Sequence, residues 1–386
     1  MHISEPEVLT EALYKCGRCS YCRGCNVETP IICPAYELTD KLETVSPKGR
    51  LQVARRLFEG SIQPSKELSE AFFLCPLCGD CKDKCIEGID TTEVFEAIRG
   101  LLVEKNAGID IHSKFTESVI ENNNPYFEPH EKRLAWLPKH LKTGNPITPE
   151  YAYFVGCTSA YRRQPIAVAT TEILHKANVK FTFMNEVCCG SPLLRTGHKE
   201  IATKLAIKNI ETIAKSGVKK IITSCAGCYR TLKLDYPTLL ERELPFEIIH
   251  SAELLAELIK DGRLELSDGE QMKVTYHDPC HLGRHAGVYD PPRDVLKSIP
   301  DIKFVEMSEN RNNALCCGAG GGFRAGYKDL SIDLAALRVS QVKNLDAEIL
   351  ASSCPFCHYN LELGRDKIDK NLKVADITEL IAKRLL

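Results

Sequence analysis

The register of the cysteines constrains this chain more than any other feature. Nineteen thiols occur in 386 residues, and they fall into tight groups. From residue 157 onward the groups repeat. Cys157, Cys188-Cys189-Gly190 and Cys225-Ala226-Gly227-Cys228 are followed by Cys280, Cys316-Cys317-Gly318 and Cys354-Pro355-Phe356-Cys357. The first cysteine and the pair are separated by 30 residues in one copy and 35 in the other, and the pair and the final CxxC by 35 and 36. That register marks an internal duplication with a period of about 120 residues.

The surrounding sequence alternates between strand-like and helix-like stretches. Strands are predicted at 151–155, 179–184 and 220–223, with helices at 165–177 and 199–215. The second copy predicts strands at 273–277, 303–306 and 348–351, with helices at 293–298 and 330–343. Each copy is therefore expected to form a small α/β layer, over 151–268 and 269–386. Cys157, Cys225, Cys280 and Cys354 each follow a predicted strand closely, and open α/β sheets bind ligands at the carboxyl ends of their strands. Five sulfurs per copy can thus reach one crevice.

Residues 1–120 read as helical, with periodic stretches at 5–15, 47–59 and 94–103 and a helix cap at Asp90. Residues 121–150, rich in Asn and Pro, read as a connecting segment. The front part carries Cys16-Gly-Arg-Cys19-Ser-Tyr-Cys22, then Cys25 and Cys33-Pro34, and later Cys75, Cys78, Cys81 and Cys85. Three cysteines at C-x₂-C-x₂-C, completed by a distant cysteine before proline, form the signature of two-cluster ferredoxins, in which the fourth cysteine serves the other cluster. By that rule Cys16, Cys19, Cys22 and Cys85 hold one [4Fe–4S] cubane, and Cys75, Cys78, Cys81 and Cys33 hold the other. Two departures stand out: Cys33 lies well beyond Cys22, and Cys85 precedes Ile86 instead of proline. Cys25 is the rival of Cys33, which is preferred because it keeps the proline. Zinc is the competing cofactor, but the tripled spacing suits a tetrahedral knuckle poorly.

Composition narrows the function classes. Lys and Arg number 50 against 52 Asp and Glu, a formal net charge of −2, so no basic excess exists to neutralise nucleic-acid phosphates. No apolar run approaches the length of a membrane span, and the acidic N-terminal residues do not fit a signal peptide. A cytoplasmic location follows as the expectation. In a reducing compartment clustered thiols point to metal or redox chemistry instead of disulfides. Five cysteines per copy exceed what a cubane or a tetrahedral zinc needs. The residues alone therefore indicate an unusual iron–sulfur site, twice. Gly318-Ala319-Gly320-Gly321-Gly322 resembles a dinucleotide fingerprint only superficially, since it follows a cysteine pair instead of a strand. These glycines are expected to let the backbone approach a cluster, and no flavin or nicotinamide site is expected.

The duplicated C…CCG…CxxC pattern resembles the cysteine-rich repeats of heterodisulfide reductase. Tandem ferredoxin motifs followed by two such repeats resemble its D-subunit family over nearly the whole chain. The resemblance includes Gly88-Ile89-Asp90, Pro129-His130-Glu131-Lys132-Arg133 and His277-Asp278-Pro279-Cys280-His281. It implies a helical ferredoxin-like domain before a duplicated α/β cysteine-rich (CCG) domain. It further implies one noncubane [4Fe–4S] cluster on Cys157, Cys188, Cys189, Cys225 and Cys228. A second would sit on Cys280, Cys316, Cys317, Cys354 and Cys357, the facing pair cleaving a disulfide. Four clusters and an electron-donor partner, a flavoprotein or a membrane cytochrome, are thereby expected. His281, beside Cys280, is the candidate proton donor; His277 and His358 are expected to be structural. The alternative is an electron-transfer protein with no substrate of its own, as in relatives that partner flavin-dependent oxidases. A zinc-bound adaptor is a third reading.

Overall fold

Short apolar runs separated by helices pair in parallel, because each helical crossover returns the chain to the end of the sheet where the previous strand began. The computed structural model, which describes residues 6–24, 31–142 and 149–386, shows this twice. The first sheet comprises β1 (Tyr151–Tyr153), β2 (Phe181–Phe183), β3 (Lys220–Thr223) and β4 (Glu247–His250), all parallel in the order β2-β1-β3-β4. The second comprises β5 (Met272–Tyr276), β6 (Ile302–Phe304), β7 (Ile349–Ser352) and β8 (Lys373–Asp376), parallel in the equivalent order β6-β5-β7-β8. Neither β4 nor β8 is expected from the sequence. Both are four-residue edge strands that begin on a charged, exposed residue and lack an extended apolar run. Each leads directly into a helix closed by a capping box. His250 N–H donates to Glu253 Oε2 at 2.8 Å, and Asp376 N–H donates to Glu379 Oε2 at 2.9 Å.

The two copies share one apolar core. Tyr153 and Ile222 of the first sheet pack in the same cluster as Val274, Tyr276 and Ile349 of the second. Helix Gln164–Lys176 of the first copy packs on Ile377–Ala382 of the second, and Ser251–Lys260 packs on Asp290–Ser298. In each contact the helix after a copy's first strand meets the helix after the other copy's last strand. The copies are thus related by an approximate two-fold axis. The hydroxyl of Tyr153 meets Ser224 Oγ at 2.9 Å, and the hydroxyl of Tyr276 donates to Ser353 Oγ at 3.1 Å. Both serines immediately precede the first cysteine of a CxxC, so the same bond anchors each motif.

Among the described residues, the first 142 form helices and turns only. Helix Pro47–Phe58 is capped by Ser46 and helix Thr91–Glu104 by Asp90, the latter accepting from Thr92 and Glu93 N–H at 3.1 Å. The segment expected merely to connect is packed down. Trp136, Leu137 and Leu141 join the shared core. The Arg133 guanidinium pairs with Glu186 at 2.7 Å, with both side chains buried. Residues 143–148 and Cys25 lie outside the described residues.

Arg99, fully buried, ties the front helices to both copies. Its guanidinium donates to Phe72 and Cys75 carbonyls at 2.6 Å, to Arg195 carbonyl at 2.5 Å and to Gly321 carbonyl at 2.7 Å. Burial pulls its pKa down to about 10, which still leaves it charged at neutral pH. R99A would strand these acceptors without a donor, each at a cost of about 1–3 kcal/mol. Chemical denaturation is expected to show a stability loss on the order of 3 kcal/mol or more. An unchanged midpoint would mean that the front helices dock by other means.

Candidate iron–sulfur centres and the cavity between them

The cysteines gather into two front groups and one large double group. Cys16, Cys19, Cys22 and Cys85 surround a small void near the surface, with Cys19 exposed. Cys33, Cys75, Cys78 and Cys81, all buried, surround a second. Both groupings coincide with the ligand sets expected from the ferredoxin spacing. The thiols of Cys22 and Cys33 are pushed up to about 12 and about 11, in each case chiefly by burial. Neighbouring sulfurs add to the rise at both, while the Arg50 guanidinium opposes it at Cys33. Such crowded sulfurs are stable as thiolates only around a cation, so these donor sets fit a metal cofactor.

The double group opens on one cavity of about 360 Å³. Its wall contains Cys157, Cys188, Cys189, Cys225 and Cys228 of the first copy and Cys280, Cys317, Cys354 and Cys357 of the second. Cys225 lies within hydrogen-bond reach of Cys354 across the approximate two-fold axis. Within the second copy Cys317 and Cys357 sulfurs are 3.2 Å apart. Cys316 stands behind the wall, within reach of Cys280, Cys317 and the front-domain Cys78. The glycine after each cysteine pair turns its N–H back to the first sulfur. Gly190 N–H donates to Cys188 at 3.5 Å and Gly318 N–H to Cys316 at 3.3 Å, with φ of 86° and 79°. Further along the glycine run the close approach is to protein. A Cβ on Gly321 would lie 2.6 Å from the Pro76 carbonyl. That stretch therefore serves the front-domain interface as well as the sulfurs.

His281 lies on the cavity wall, buried, with Nε2 at 3.3 Å from the Arg230 guanidinium. Arginine can only donate, so Nε2 accepts and Nδ1 carries the hydrogen. Burial first, then Arg230 and Arg195, drive its pKa well below the ordinary histidine value. The ring is accordingly neutral, with Nδ1–H as its donor. His277 accepts from Arg338 Nε at 3.2 Å, and one of its ring nitrogens lies within 4.8 Å of the Cys317 and Cys357 sulfurs. It stands nearer the sulfurs than its expected structural role suggested. His358 turns away toward Glu379 at 3.5 Å.

A charged network missed in the sequence supports this wall. Arg195 pairs with Glu96 at 2.8 Å and with Asp235, and Arg230 faces the same two acids at 3.6 and 3.9 Å. Its members come from the front helices and the first copy and share no motif. The remaining wall is apolar, with Phe115, Tyr126, Phe127 and Phe356 prominent.

The family model of the cysteine-rich (CCG) domain matches residues 151–233 and 274–362. The chain is 39% identical to the Methanosarcina mazei protein named as the D subunit of dihydromethanophenazine:CoB–CoM heterodisulfide reductase, over 97% of this chain and 94% of that one. It belongs to the heterodisulfide reductase D-subunit family. Another relative is the Methanothermobacter marburgensis protein named as the B subunit of fumarate reductase (CoM/CoB), 28% identical over 94% of this chain and 71% of that one. The relatives named as D and B subunits are parts of multi-subunit reductases. Among solved structures, a hypothetical protein of Helicobacter pylori matches with a TM-score of 0.62 at 13% identity, over 88% of this chain and 67% of that one, a likeness of fold. No helix of the described residues is long and apolar enough to cross a membrane.

Gly156 tests the sulfur packing of this family member. Its φ is 74°, and a Cβ there would lie 2.9 Å from Cys228 Sγ. G156A is expected to lower the iron retained after anaerobic reconstitution. G60A, at φ 70° with open space around it, puts an alanine at positive φ away from any cysteine and should leave iron unchanged. Equal iron in both variants would show that Gly156 does not shape the site.

Proposed function

We propose that this chain is the disulfide-cleaving component of a reductase complex, reducing a disulfide of the CoM-S-S-CoB type to two thiols. One observation carries the reading: nine of the ten rear cysteines, from both sets, line a single cavity, and the sets meet at Cys225 and Cys354. Cys16, Cys19, Cys22 and Cys85 would hold one cubane [4Fe–4S] cluster, and Cys33, Cys75, Cys78 and Cys81 the other, within a helical ferredoxin-like domain. Cys157, Cys188, Cys189, Cys225 and Cys228 would hold one noncubane cluster. Cys280, Cys316, Cys317, Cys354 and Cys357 would hold the second. When bound, such clusters supply electrons one at a time, and two facing sites match the two electrons that a disulfide takes up.

The chain's own residues supply the rest. Phe115, Tyr126, Phe127 and Phe356 make much of the cavity wall apolar, a setting in which charge interactions are stronger than in water. His281 offers its Nδ1–H to a released thiolate, held in that tautomer by Arg230. The Arg195–Arg230 pair places positive charge behind it. The donor of electrons is a partner protein, a flavoprotein or a cytochrome, working with this chain at the cytoplasmic side.

Metal and sulfide analysis should find about 16 irons per chain if all four sets are filled. Adding a substrate thiol to the oxidised protein is expected to perturb its paramagnetic signal. Silence toward every thiol, with full iron, would leave only the electron-transfer reading. H281A is expected to keep its iron but reduce the disulfide on the order of 10²-fold more slowly, the usual cost of losing a preorganised donor. Unchanged turnover would remove His281 from the mechanism.

A further inference from the structure

The two copies match closely where they face each other and differ where the front domain docks. The turn after Cys280 continues as His281-Leu282-Gly283-Arg284-His285, and it grips the Cys75–Cys81 loop. Arg284 donates to the Cys78 carbonyl at 3.2 Å, and its guanidinium lies 3.5 Å from Asp80. Its other donors hold Asn312 and Ala314 carbonyls, at 2.7 and 2.8 Å, in the loop that leads to Cys316. His285 meets the Leu77 carbonyl at 3.2 Å. Gly79 is pressed so tightly against this histidine that a Cβ would lie 2.8 Å from its ring. The equivalent positions after Cys157 are Tyr161 and Arg162. Arg162 pairs with Glu128 at 2.7 Å, and Tyr161 lines a small void with Arg133 and Glu186. Among the described residues, no front-domain cysteine lines that void.

We propose that Arg284 is a positioning residue that holds the Cys75–Cys81 set against the second copy's set and places one fixed positive charge between them. The second copy is then the point where electrons enter the central pair. The Arg284 side chain is 4% exposed, so water screens its charge little. A guanidinium is not deprotonated in proteins, so the charge at this place is fixed. A cation beside an iron–sulfur group favours the reduced, more negative form, so a single residue raises the potentials of two groups together. Cys78 already lies within hydrogen-bond reach of Cys316, so both sets meet at this residue.

The inference rests on the reading that these sulfurs carry iron–sulfur clusters, and a redox titration of the full-length protein followed by paramagnetic resonance tests it. C19S and C78S assign the front signals. In R284Q the potentials of the Cys75–Cys81 set and of the second copy's set are expected to shift together to more negative values. The Cys16–Cys22 set should stay in place as an internal reference. R284K keeps the charge and should remain near the parent protein. Unmoved potentials in R284Q at full iron overturn the inference, as does an equal shift in R284K. Loss of iron from both variants also overturns it, by making the residue a structural strut. A parent protein without iron would instead sink the proposed function itself.

Discussion

Two parallel sheets each cover a face with their own helices, those helices pack against the other copy's, and the shared apolar core so formed decides where every rear sulfur goes. Had the helices of the two copies not packed on one another, the carboxyl ends of the two sets of strands would have had no reason to point at one crevice. The exchanged contacts between Gln164–Lys176 and Ile377–Ala382, and between Ser251–Lys260 and Asp290–Ser298, remove that freedom. Apolar burial is non-directional, but helices with one greasy stripe pack only in a few orientations. The Tyr153–Ser224 and Tyr276–Ser353 bonds then set the two CxxC motifs at matching heights. Ordinary packing at the base thus produces sulfur-to-sulfur proximity at the top.

Polar burial does the remaining positioning. Arg50, Arg99, Arg293 and Arg338 are among the largest fully buried side chains of the described residues. Each donates to carbonyls, carboxylates or a histidine, although Arg338 Nη2 has no partner among the described residues. Arg50 donates to the Ala71 and Leu74 carbonyls, and Arg293 reaches Asp278 at 2.8 and 2.9 Å and Glu306 at 2.6 Å. A guanidinium is suited to this because its planar fork spans several acceptors while its charge is hard to remove. In a molecule whose interior collects many sulfurs, buried cations also oppose the mutual repulsion of any thiolates among them.

Much of this was legible in the sequence for a physical reason. Cysteines with a common task keep their register even where the helices between them vary, so the duplication, six of the eight strands and the grouping of the sulfurs could be read from spacing. The edge strands at 247–250 and 373–376 could not be read from apolar patterning, being short and polar at the start. The D-x-x-E capping signature at Asp376 would have marked one of them. The segment after residue 121 concealed its packing because Asn and Pro outweigh Trp136, Leu137 and Leu141 in composition, yet those three side chains anchor it. The Glu96–Arg195–Asp235–Arg230 network was invisible because its members are distant in sequence and follow no spacing rule. For His281, adjacency to a cysteine was readable, but its protonation depends on an arginine from the other copy.

The near-symmetry of the two halves also limits how such a chain can be wired. A self-associating pair of identical repeats would build the same central chamber, but any docking module would find two equivalent doorways. Joining the halves in one polypeptide lets the turn after Cys280 grip the front domain while the turn after Cys157 lines a small void. The direction of flow proposed above would then be a property of covalent fusion, written in the few side chains where the halves are no longer alike.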